Sequence, residues 1–151
     1  MAVPSSGLWT RGFLAALWLA LVAGCTPVGK ESPTIRMNPG PAGRLEHVTF
    51  DVVGLEAADL AALGKVRWSA QEWAALFRVS ADDRPASERG SGPALTGSYR
   101  LVDRVLRFTP EAPLEPATRY RAVFDASRLP GRAPGSDGTM EALFAPPPKA
   151  W

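Results

Sequence analysis

Few side chains in this 151-residue chain are of types that do covalent or acid–base chemistry near neutral pH: there is one cysteine, Cys25, and one histidine, His47. His47 follows Glu46 at the entry to an alternating apolar segment, where it is expected as a surface residue rather than a general base. A lone cysteine excludes a disulfide framework and Cys-based zinc sites. Asp82-Asp83-Arg84 is too short a run for a calcium loop, and Ser136-Asp137-Gly138 is a turn signal. The chain carries no phosphate-binding loop, no GxGxxG after a strand and no HExxH. A carboxylate pair for glycoside hydrolysis need only meet in space, and nothing in the sequence singles one out. No enzymatic activity, metal or cofactor is therefore expected. What remains is arginine: Arg100, Arg104, Arg107, Arg119 and Arg121. All five are expected to share the outer face of adjacent strands, as a solvated surface or as an anion-binding patch for phosphate or polysaccharide carboxylate in which Arg107, Arg119 and Arg121 are the candidate binding residues. Nucleic acid is not expected as a partner, given a net charge of only +2 and the exported location read from the N-terminal segment. Trp68, Trp73, Tyr99 and Trp151 have faces on which sugar rings stack, although Trp68 and Trp73 are expected to pack into the core.

The cysteine takes its meaning from what precedes it. Arg11 is followed by an unbroken apolar run from Phe13 to Ala23, with no acidic residue before Glu31. At 1.5 Å per residue such a run makes about 16 Å of helix, half of a roughly 30 Å hydrocarbon core. That is the length of a signal-peptide hydrophobic region, too short for a stable span. It ends in Val22-Ala23-Gly24-Cys25, which resembles a bacterial lipobox: an aliphatic residue, two small residues, then cysteine. The resemblance implies that residues 1–24 are cleaved by signal peptidase II. It also implies that the Cys25 thiol carries a diacylglycerol and its freed amine a further fatty acid such as palmitate. Two or three acyl chains anchor a protein stably, whereas one binds marginally. The place implied is the bacterial cell envelope, with the membrane as partner. The outer membrane is favoured over the inner, because Thr26 is not the aspartate associated with inner-membrane retention.

Behind the anchor must stand whatever positions the arginines. Fifteen Pro and 14 Gly argue against long helices. Residues 25–45 hold Pro27, Pro33, Pro39 and Pro41 and show no period of 2 or 3.6, so they are expected as a tether. From residue 46 the pattern changes. Val48, Phe50 and Val52 alternate with polar residues as a half-buried strand does, and Gly54 ends the run. Leu55, Leu60 and Leu63 suit a short helix ended by Gly64. Ser69 and Glu72 have the spacing of a capping box ahead of a second short helix. Residues 77–80, 98–102, 105–108, 118–125 and 139–144 read as further strands, the second and third as a hairpin turning at Asp103-Arg104. The prolines of residues 146–151 cannot donate to a ladder and form a tail. Some six short strands predict an all-β antiparallel sandwich over residues 46–145, with one or two short helical insertions.

Residues 105–110 (Val-Leu-Arg-Phe-Thr-Pro) and 112–120 (Ala-Pro-Leu-Glu-Pro-Ala-Thr-Arg-Tyr) go further. They resemble the bacterial Ig-like domains of surface-layer and exported proteins, and similar lipoprotein-like sequences occur in planctomycete-type bacteria as front ends of longer chains. In this pattern Pro113 and Pro116 fix a corner between two sheets, Leu114 packs beneath it, and Tyr120 buries its ring while its hydroxyl bonds backbone upstream. The function implied is a non-catalytic structural or interaction role at the envelope, with an envelope protein as partner. Two alternatives stand beside it: a glycan- or envelope-polymer-binding module, and a truncated N-terminal accessory domain of a larger exported enzyme.

Overall fold

The computed structural model describes residues 32–82, 92–132, 138–146 and 148. Seven strands form in the places where apolar and polar residues alternate: β1 (Thr34–Asn38), β2 (Thr49–Val53), β3 (Phe77–Ala81), β4 (Gly97–Val102), β5 (Val105–Pro110), β6 (Tyr120–Asp125) and β7 (Thr139–Phe144). They pair into two antiparallel sheets, one of four strands in the order β1-β2-β5-β4 and one of three in the order β3-β6-β7. Period-two alternation sends every second side chain inward. Phe50 and Val52 of β2, Leu106 and Phe108 of β5, and Tyr120, Ala122 and Phe124 of β6 are thereby buried. The sheets meet through these rings. Phe50 lies edge-on to Phe144 at 5.7 Å between centroids, and Phe77 edge-on to Phe108 at 6.4 Å. The molecule is a β-sandwich.

Between β2 and β3 the chain makes α1 (Ala57–Leu63) and α2 (Ala70–Leu76). Leu63 and Leu76 anchor them in the core. In α2 the capping box is complete: the backbone N–H of Ser69 donates to Glu72 Oε2 at 2.7 Å, and the N–H of Glu72 donates to Ser69 Oγ. The Ser69 N–H and the Ser69 hydroxyl, both donating to Glu72 Oε2, hold that carboxyl below its ordinary pKa. Gly64 ends α1, as its position predicts. The β4–β5 hairpin turns on Asp103 and Arg104, both with positive φ (47° and 64°), the handedness that matches strand twist in a two-residue connection.

The strands expected at residues 77–80, 98–102, 105–108, 118–125 and 139–144 all form. Two expectations change. The sheet begins at Thr34, inside the stretch 25–45 where only a tether is predicted: β1 pairs along its whole length with β2, from Thr34 opposite Val53 to Asn38 opposite Thr49. Its inward residues, Ile35 and Met37, are too few to stand out between Pro33 and Pro39. Trp68 and Trp73 are half-buried against the rim of the core rather than plugging it. Trp73 stacks on Tyr99 (5.5 Å, 12°) and meets Trp68 edge-on at 5.1 Å, and Tyr99 in turn leans on Phe108 at 4.9 Å. The Tyr99 hydroxyl donates to the carbonyl of Phe77 at 2.8 Å, and burial pushes its pKa up to about 12.

Candidate functional site

Val22, Ala23, Gly24 and Cys25 lie outside the described residues, as does Trp151. The corner residues and the arginines do not. The segment from Pro110 to Tyr120 carries the chain from the four-stranded sheet to the three-stranded one. Leu114 is buried beneath it while Pro113 and Pro116 are exposed at the bend. The Leu114 N–H donates to the carbonyl of Leu45, tying the bend to the β1–β2 link. Tyr120 is buried, and its hydroxyl accepts the N–H of Glu115 at 2.8 Å. A phenol that fills the core and satisfies a backbone donor at the bend stabilises the crossing on both counts.

That crossing separates the arginines. Arg107 lies on the four-stranded sheet, and Arg121 on the three-stranded one, with exposed Arg119 just ahead of it. The single face expected of Arg107, Arg119 and Arg121 therefore does not form: each sheet turns its polar side away from the other. Arg121 is largely buried and donates to Asp82 at 3.2–3.3 Å and to Glu141. Asp82 is itself buried and serves as an anchor for Arg121 rather than as the start of a cation loop. Asp83 lies outside the described residues.

On the four-stranded sheet the register gathers a different set. Arg36 of β1 stands opposite Asp51 of β2, Asp51 opposite Arg107 of β5, and Arg107 opposite Arg100 of β4. One row thus crosses all four strands. Asp51 is buried and receives both Nε and Nη2 of Arg107 at 2.8 Å, a bidentate pair, and Nδ2 of Asn38 also at 2.8 Å. The Asp51 bonds raise the Arg107 pKa. Arg36 and Arg100 are exposed at the two ends of the row, and among the described residues neither has an acidic partner. Arg104 is exposed at the hairpin tip. Sequence reasoning did not single out Arg36. Its signal was the alternation of Thr34, Arg36 and Asn38 with Ile35 and Met37.

A third pair closes one end of the sandwich. Arg132, past β6, donates through Nε to Asp59 of α1 at 3.2 Å and through Nη2 to its other oxygen. They line a cavity of about 330 Å³ together with Ser32, Pro33, Glu56 and Met140. Seventy-three positions separate the two residues, and no local pattern announces the contact. Asp51, Asp59 and Asp82, the three buried carboxylates among the described residues, thus each face a guanidinium. Carboxylates so paired anchor the elements that carry them. Among the described residues, no group of three His, Cys, Asp or Glu is placed to hold a metal ion. No helix among them is long and apolar enough to cross a membrane. Compared with protein-family models, curated proteins and solved structures, the chain has no significant match.

Proposed function

We propose that this chain is a lipid-anchored protein of the bacterial envelope whose domain is Ig-like and serves as a non-catalytic scaffold or interaction module. The observation that carries the domain assignment is the pairing order. Strands β1-β2-β5-β4 facing β3-β6-β7 reproduce, in chain order, the A-B-E-D and C-F-G sheets of a seven-strand constant-type Ig sandwich. Tyr120 begins the sixth strand at the bend from the fifth, where such sandwiches carry their tyrosine corner. Two residues on, where antibody domains place the second cysteine, stands fully buried Ala122, so packing replaces the inter-sheet disulfide. The two helices occupy the B–C connection. The buried acids locked by arginine further support a scaffold over a reaction centre.

The anchor rests on Val22-Ala23-Gly24-Cys25 and the apolar run before it. Metabolic labelling with a palmitate analogue tests it: the wild-type chain takes label and Cys25→Ser does not. Equal labelling of both removes the anchor.

A further inference from the structure

We propose that the outer face of the four-stranded sheet docks against anionic lipid headgroups of the membrane that holds Cys25, an inference that rests on the lipid anchor proposed above. The face carries three arginines, Arg36, Arg107 and Arg100, against one aspartate, Asp51, in a single cross-strand row. Arg100 and Arg107 stand directly opposite each other, a like-charge pairing that works against sheet stability. Asp51 compensates Arg107. Arg100 and Arg36 are left facing solvent as an uncompensated positive surface. At about 4.8 Å per strand spacing, the two ends of the row are roughly 14 Å apart. One small anion cannot reach both, whereas a plane of separate headgroups can.

Chain connectivity keeps this end of the sheet within reach of a bilayer. Only residues 26–33 separate Cys25 from the first strand, a reach of at most about 29 Å when extended. The chain enters at Thr34, opposite Val53, the end of the sheet where Val102 and Val105 pair beside the Asp103-Arg104 turn. By strand alternation these valines point to the same side as the arginine row, the next outward row along the sheet. Apolar side chains next to cationic ones suit the boundary between headgroup and water. A short tether also keeps the local concentration of headgroups high, so a weak surface suffices.

The test uses the mature chain with Cys25→Ala, so that no acyl chain contributes, and sedimentation with vesicles. The expected result is binding to vesicles of equal parts phosphatidylglycerol and phosphatidylcholine, no binding to pure phosphatidylcholine, and loss of binding at high salt. Arg36→Glu with Arg100→Glu weakens binding by roughly tenfold or more. Arg119→Glu, an exposed charge off this face, leaves it unchanged. Unfolding midpoints confirm that both variants fold. Equal binding by the double variant overturns the proposal, and so does an absence of binding to the phosphatidylglycerol vesicles at low salt by the chain that keeps both arginines. So does retention on a soluble polyanion, dextran sulfate, without vesicle binding, which makes the face a polymer site. Because position 25 is unacylated throughout, a failed anchor and a failed docking face give separate results.

Discussion

The Tyr120 hydroxyl accepts the N–H of Glu115 at 2.8 Å, from a ring buried in the core, at the one bend that takes the chain from β5 in one sheet to β6 in the other. Ring and hydroxyl act on different things: the ring holds the start of β6 inward, and the hydroxyl holds the bend to that strand. Tyr120→Phe keeps the first and removes the second. It is expected to lower stability by about 1–3 kcal/mol, the cost of leaving a backbone donor without its acceptor. Urea unfolding with an unchanged slope measures this, and an unchanged midpoint refutes it.

Asp51 holds Arg107 beside a second arginine. Replacing it with Ala leaves Arg107 and Arg100 facing each other with no acid between them. A loss of roughly 1–3 kcal/mol is expected, below the value for a fully buried pair because Arg107 is 36% exposed. Arg107→Gln in the same background recovers part of it. A double-mutant cycle showing no coupling between the two positions sinks this account.

Gly97 opens β4 against the Phe108 ring. A Cβ there would lie 2.6 Å from that ring and closer still to the carbonyl of Thr109. Neither backbone nor a fully buried ring gives way readily, so Gly97→Ala is expected to cost at least about 1–3 kcal/mol. Thermal unfolding no lower than wild type would show that the strand end shifts freely.

Tyr99 supplies a pH test. Its neutral form is favoured in the folded state, since burial raises its pKa from 10 to about 12. The unfolded chain therefore loses its phenolic proton first. Stability from this group is complete below about pH 10 and falls as pH climbs toward 12. Comparing alkaline unfolding of wild type and Tyr99→Phe isolates the effect: the wild type loses stability faster across that window. Parallel curves contradict it.

Much of this architecture is legible in the sequence because it is locally encoded. Phe50 and Val52, Leu106 and Phe108, and Tyr120, Ala122 and Phe124 each declare an inward face by alternation. Ser69 and Glu72 declare α2 by their spacing. β1 escapes because two inward residues between prolines make too short a period, and it is its pairing with β2 that stabilises it. The grouping of Arg107 with Arg121 fails for an instructive reason. A bend at Pro113–Pro116 that changes sheets already forbids a shared face, so the corner and the patch were incompatible expectations. The Asp59–Arg132 and Asp51–Arg36 neighbourhoods depend on strand order and on how the sandwich ends close, which no local pattern carries.

The arrangement of the three-stranded sheet also sets a timetable. β6 is its central strand, with β3 before it and β7, the last strand among the described residues, after it. β7 also lies against β1, the first of the described strands. Until residue 144 has left the ribosome, one edge of β6 has no partner and the inward side of β1 lacks its neighbour. An exposed edge of Tyr120–Asp125 is a template for pairing with other chains. A chain that stops before Thr139 is thus expected to aggregate or be degraded rather than persist as a smaller sandwich.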